Sequence, residues 1–204
     1  MVLMRDRRAQ IVEAATALIN RRGYQQTSVE DVIKDAGLCG KAHFYHYFKS
    51  KEELGHAVLN RQFELFVERG LTILRDPMME PLERLDAFID TLVESHAEQG
   101  CQGTPCVGGF TVEMAVENES FRPRVEGMFE RWAEHIEALF WEIRPRMRDG
   151  FDSARMARFV IATLEGALMM SRVTREISVM EGIAADLKRY IGMHVRTEAV
   201  AHTA

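Results

Sequence analysis

Apolar residues recur every three or four positions along most of the chain, and no stretch alternates apolar with polar long enough to make a good strand. Ile11, Val12, Ala15, Leu18 and Ile19 form one stripe that ends at Gly23, a natural helix terminator. Thr27 with Glu30 three residues on reads as a capping box, and Val29, Val32, Ile33 and Ala36 follow at helical spacing until Gly37. A third short helix is predicted from about Lys41 to Phe48, with Phe44 and Phe48 inward. Ser50 and Glu53 form a second capping box, opening a long helix to about Leu74. Further on, breakers fall at RDPMMEP, QGCQGTPCVGG, ENES, RPRMRDGFD and around Ile177–Ser178. They leave helices at about 81–98, 108–117, 120–143, 153–175 and 180–196. The most regular is 120–143, with Phe121, Val125, Phe129, Trp132, Ile136, Leu139 and Ile143 on one face. The pattern predicts an all-α fold of about nine helices, without repeats or low-complexity segments.

Composition narrows the class. With 204 residues, 47% of them hydrophobic, the chain can bury a core without disulfides or a metal. Three cysteines, an odd number, do not suggest a secreted disulfide framework. The start, MVLMRDRRAQ, has no apolar core of the kind a signal peptide needs. The most apolar later run, FVIATLEGALMM, is broken by Glu165 and too short to span a bilayer. A cytoplasmic protein with no membrane partner is expected. The net charge of −5 hides an asymmetry: residues 1–51 hold nine Lys/Arg against five Asp/Glu, and residues 52–204 hold seventeen against twenty-six. A basic head of +4 on an acidic body of −9 suits a phosphate-binding domain joined to something else. The boundary is expected near residue 52, giving domains 1–52 and 53–204.

The helices at about 28–36 and 41–48, joined by Gly37-Leu38-Cys39-Gly40, have the dimensions of a helix-turn-helix. In that motif the second helix enters the major groove and neighbouring groups hold phosphates. Anchoring by Phe44 and Phe48 turns Ala42, His43, Tyr45 and His46 outward or sideways. Lys41, Lys49 and Lys51 bracket the helix with cations suited to phosphate. Thr27 and Ser28 place hydroxyls and free amides at a helix start, and Tyr45 and Tyr47 can donate to phosphate oxygens. Read in isolation, the same residues also fit a core with a solvated lysine face.

An ordered set of features over residues 8–54 decides between these readings. They are the helix-one stripe, Gly23-Tyr24, Thr27-Ser28-Val29, Asp31-Val32, Ala36-Gly37, Phe44-Tyr45-His46-Tyr47-Phe48 and Ser50-Lys51-Glu52-Glu53-Leu54. This segment resembles the DNA-binding domain of TetR/AcrR-type transcriptional regulators. The resemblance implies that Thr27, Tyr45 and Lys51 contact phosphates and that Lys41 to His46 face base edges. The chain has one residue more than the usual spacing between Ala36-Gly37 and Phe44-Tyr45, and Cys39 stands where serine is common. The register at Gly40 to His43 is therefore open by one position. The resemblance also implies a homodimer through the last two helices, near 153–175 and 180–196. Met156, Phe159, Val160, Thr163, Leu164, Ala167, Met170 and Ser171 give the first of these more apolar width than one subunit needs.

In such regulators a C-terminal body binds a small-molecule effector and repositions the DNA-binding heads. Phe63, Phe66, Phe88, Cys106, Met114, Phe129, Trp132, Met169 and Met170 mark the candidate effector region, although residues of these types at helical spacing serve equally as core. Cys101 and Cys106, five apart in a glycine-rich loop before a helix, raise a second reading as a redox or electrophile sensor. His96 and His135 could assist if the fold brings them close. A metal held by His96, Cys101 and Cys106 matches no familiar zinc spacing, so neither metal nor cofactor is expected. A Cys106–His hydrolase lacks an orienting third group and an oxyanion site, so no enzyme activity is expected.

Overall fold

The computed structural model describes residues 7–101 and 107–196, with the backbone alone described at 65–69, 107–110 and 117. Among these residues are nine α-helices, one short 3-10 helix and no named strand. The helices are α1 (Arg7–Arg22), α2 (Val29–Asp35), α3 (Lys41–Tyr47), α4 (Lys51–Leu74), α5 (Pro81–Glu98), α6 (Val107–Glu117), α7 (Arg122–Glu142), α8 (Ser153–Thr174) and α9 (Ile177–Met193). The predicted fold class and helix order hold. The bounds of α5 agree with the expectation, and most others agree within two residues.

Three local readings are corrected. The cap of α2 is Ser28, not Thr27: the Ser28 hydroxyl accepts from the Asp31 amide (3.1 Å), and Asp31 Oδ2 accepts from the Ser28 amide (3.0 Å). Thr27 is buried instead, its hydroxyl donating to the Gly23 carbonyl (2.8 Å). The break before the last helix falls at Arg175 and Glu176, not at Ile177–Ser178. Arg175 takes the left-handed conformation (φ 58°) and α9 is already under way at Ile177. At the head of α4 only part of the expected box forms. Ser50 Oγ accepts from the Glu53 amide (3.0 Å), but the Glu53 carboxylate reaches the Lys49 amide (2.7 Å) rather than that of Ser50.

The chain divides into two compact units: Met1–Arg69 with Pro105–Phe129, and Gly70–Thr104 with Glu130–Ala204. In the first, α1, α2, α3 and the start of α4 close over Ile11, Ala15, Val32, Phe44, Phe48 and Val58, all nearly or completely buried. Met114 of α6, Phe121 just before α7 and Val125 of α7 belong to this same cluster. Gly55 on α4 lets them in, since a Cβ there would come within 2.8 Å of the Phe121 ring. In the second unit α8 packs on α9 and α5 on α9. Its core includes Phe88, Ile89, Ile136, Phe140, Val160 and Leu164. Full burial of each such side chain stabilises by roughly 1.5–3 kcal/mol, which explains why the apolar stripes dictate the fold.

Candidate nucleic-acid interface and sensor region

The α2–α3 corner is built by backbone geometry. Leu38 donates from its amide to the Ile33 carbonyl (2.9 Å) across Gly37, which sits at φ 62° where a side chain is disfavoured. Phe44 and Phe48 have no exposed surface and stack at 5.9 Å, so α3 cannot rotate about its axis without unburying them. Rotation being blocked, Lys41, Ala42, Tyr45, His46 and Lys49 are exposed, and Gly40, His43 and Tyr47 are half-buried. The His43 and His46 rings lie 5.8 and 4.9 Å from Tyr47, giving a short aromatic ridge beside the exposed face.

Two of the lysines are held in place. Lys41 forms an ion pair with Glu30 of α2 at 2.5 Å, which raises the ammonium pKa and lowers that of the carboxyl. Lys51 donates to the Gln25 carbonyl (3.3 Å) and lies over the Tyr24 ring at 4.4 Å. Burial pushes the Tyr24 phenol up to about 12, with Glu52 adding to the shift. At the start of α2, Ser28 is exposed and hydrogen-bonded to Asp31, whose carboxyl those bonds hold below its ordinary range. Thr27 offers no exposed hydroxyl. Tyr45, His46, Lys49 and Ser28 are exposed, Lys51 is half-buried, and Cys39 is exposed in the α2–α3 turn.

The candidate effector residues divide between the two units. Met114 and Phe129 pack against the head core, and Phe63 lies on α4. Phe88 and Trp132 meet edge-to-face at 6.4 Å in the second unit. Met169 and Met170 are each 55% exposed, so they face outward and do not join that interior. Cys106 and the Phe66 side chain lie outside the described residues.

Cys101 is buried, at φ 58°, with its amide donating to the His96 carbonyl (3.0 Å). Ser171 of α8, which nothing in the sequence pattern singles out as polar, completes a buried group. Its hydroxyl lies 3.6 Å from Cys101 Sγ, 3.2 Å from His96 Nε2 and 2.9 Å from the Glu176 carbonyl. Burial and, after it, the Arg172 charge lower the His96 pKa, favouring the neutral imidazole. Its Nδ1 has no hydrogen-bond partner among the described residues. The metal set of His96, Cys101 and Cys106 includes a residue outside the described ones, and no metal-binding cluster occurs among those described.

Residues 11–58 match the family of bacterial regulatory proteins, tetR family, and residues 81–186 match the C-terminal domain of LmrA/YxaF-like transcriptional regulators. The chain belongs to the TetR family. This TetR-family protein is 28% identical to the transcriptional repressor DhaR of Mycobacterium sp. (strain GP1), covering 82% of this chain and 83% of that one. It is 23% identical to the repressor NemR of Escherichia coli (strain K12), with coverage of 91% and 94%. Among solved structures it resembles a TetR transcriptional regulator from Chloroflexus aurantiacus, at 30% identity, TM-score 0.82 and coverage of 93% and 96%. The reduced form of E. coli NemR shares the fold at 21% identity, TM-score 0.80 and coverage of 96% and 100%. The regulator's head carries the family's helix-turn-helix, and its body is the helical C-terminal domain that such regulators pair with it.

Proposed function

We propose that this regulator is a cytoplasmic, homodimeric repressor that binds a near-palindromic operator and is released by a small-molecule effector. The observation that carries the reading is the α3 surface: two fully buried phenylalanines fix an exposed face bearing Lys41, Ala42, Tyr45 and His46, the residues we assign to base edges. Lys49, Lys51, Ser28 and Tyr47 stand where phosphates would flank it. Thr27, with its hydroxyl turned inward, supports that surface from beneath rather than from the DNA side.

Dimerisation is supported by what α8 and α9 leave uncovered. Of the eight α8 residues that give the helix more apolar width than one subunit needs, Met156, Val160, Leu164, Ala167 and Ser171 are buried within the chain itself. Phe159 and Met170 are exposed, and Met169, Val173, Tyr190 and Met193 extend the uncovered apolar surface. The partner face is therefore narrower than the sequence suggests and displaced around the helix.

The test is DNA binding by the full chain on duplex from upstream of its own gene, beside a random duplex. A salt-sensitive complex of two chains on the first only is expected. Equal affinity for both would replace regulation with sequence-independent coating. The buried Cys101–Ser171–His96 group favours a second reading, in which the signal is thiol oxidation or an electrophile. Under that reading mild oxidation abolishes the specific complex and reductant restores it, and a Cys101→Ser variant ignores both.

A further inference from the structure

At the α7–α8 connection the second unit carries a cleft of about 570 Å³ lined by Trp141, Arg144, Met147, Arg148, Asp149 and Arg196, with Phe151 at its back. None of the residues expected to line an effector site contributes to it. Its walls are fixed by the backbone. Arg148 donates from its amide to the His194 carbonyl (2.9 Å) and Arg196 to the Arg146 carbonyl (2.7 Å), a two-residue antiparallel pairing around buried Met147 and half-buried Val195. The Phe151 amide closes the following turn on the Arg148 carbonyl (3.2 Å).

The residues lining the cleft carry three guanidiniums, those of Arg144, Arg148 and Arg196, against the one carboxylate of Asp149. Asp149 is held by Arg196, Glu80 by Arg146 (3.5 Å) and Glu142 by Arg84 (3.1 Å). Asp152 accepts from the Arg155 amide as the cap of α8, and Glu137 accepts from the Trp141 indole N–H (3.1 Å). Asp152 and Glu137 keep their charge, since an amide and an indole N–H are neutral donors, but neither lines the cleft. Arg144 is left with the face of Trp141, 4.1 Å from its guanidinium, and Arg148 has no carboxylate within ion-pair distance among the described residues. Two uncompensated guanidiniums therefore share one cleft on a body whose charge is otherwise acidic.

We propose that this cleft is a binding site for a small polyvalent anion, a phosphate ester or diphosphate. Each guanidinium can bind phosphate oxygens through two parallel N–H donors, and two lining one cleft suit a polyvalent anion. The volume lies in the range of small-molecule sites. Trp141, half exposed and clamped by Glu137 and Arg144, offers an edge against which an attached ring would pack. A DNA backbone is the poorer occupant, because the −9 carried by residues 52–204 repels a duplex that a small anion does not span. The site does not depend on the operator-binding reading.

The experiment is calorimetric titration of the full chain with inorganic pyrophosphate at fixed ionic strength, with Trp141 fluorescence as a second readout. One saturable site per chain is expected. An Arg144→Ala/Arg148→Ala double variant should bind at least tenfold more weakly while keeping its melting temperature, since both side chains are exposed. Trp141→Phe should erase most of the fluorescence change, because Trp132, the other tryptophan, is buried. Absence of saturation, an equal response to sodium chloride, or full affinity in the double variant would overturn the proposal. Loss of DNA affinity in the double variant, with no pyrophosphate binding by the parent, would overturn it in favour of a DNA contact.

Discussion

Lys51 illustrates how one side chain serves two parts of the head. Its ammonium is fixed by the Gln25 carbonyl and the Tyr24 ring, so little side-chain entropy remains to be lost when a phosphate arrives. A Lys51→Ala variant should weaken binding to all duplexes by a similar factor and reduce the salt slope by about one counterion. Fluorescence anisotropy across a salt series measures both, and an unchanged slope would remove Lys51 from the contact set. His43→Ala or His46→Ala should instead shift base preference in a selection from random duplex, because their rings stand with Tyr47 on the recognition helix. His96 makes a separate, pH-dependent contribution. Its folded pKa lies below the ordinary value of about 6.5, so between the two values the unfolded chain binds a proton that the folded chain does not. Its contribution is complete above about pH 6.5 and is lost as pH falls through the lower, folded value. His135 shifts in the same direction. Urea midpoints of a His96→Asn variant between pH 5 and 8 should therefore show a shallower, not a flat, dependence. A slope equal to the parent's would place its origin elsewhere.

Among the elements, α1 and its terminator show what a sequence can and cannot fix. The stripe from Ile11 to Ile19 and the stop at Gly23 were legible from period and residue type. The reason Gly23 must be glycine was not fully legible. It sits at φ 85°, and a Cβ there would lie 2.9 Å from a carboxylate oxygen of Glu113, ninety residues along the chain. Gly23→Ala should cost roughly 1–2 kcal/mol for the left-handed backbone alone. A double variant with Glu113→Ala should recover only the steric part, as urea denaturation of both would reveal. Where the reading slipped, the cause was similar. Thr27 and Ser28 each have an acidic residue three positions on, and spacing alone cannot say which hydroxyl turns outward. Arg175 ends α8 in a conformation usually left to glycine, so no breaker marks the place. Ser171 is seventy-five residues from His96, and only the packing of the second unit joins them. In α8, one apolar surface covers the chain's own core and another is left to solvent, a division that helical periodicity cannot draw.

For the molecule as a whole, the proposed dimer is to be tested at that exposed surface. A single helix-turn-helix reads a few base pairs, and affinity for a longer operator requires two heads about 34 Å apart, or a multiple of that. Phe159 is 45% exposed yet stacks on Tyr190 at 5.2 Å, and Met170 and Met193 are more exposed still, leaving apolar area on both terminal helices. Burying it against a second copy removes this area from water at about 25 cal/mol per Å². A glutamate at either position would carry an unpaired charge into the interface, whose burial costs several kcal/mol. Phe159→Glu and Met170→Glu should therefore each yield monomers by light scattering at micromolar concentration, with unchanged helicity because both positions face outward. Such monomers should keep the weak, salt-dependent affinity of one head for a half-site and lose the tighter binding to the full operator. If the variants remain dimeric, the partner surface lies elsewhere. If they become monomeric yet bind the full operator as tightly as the parent, one head suffices and the two-fold arrangement of the operator has no role.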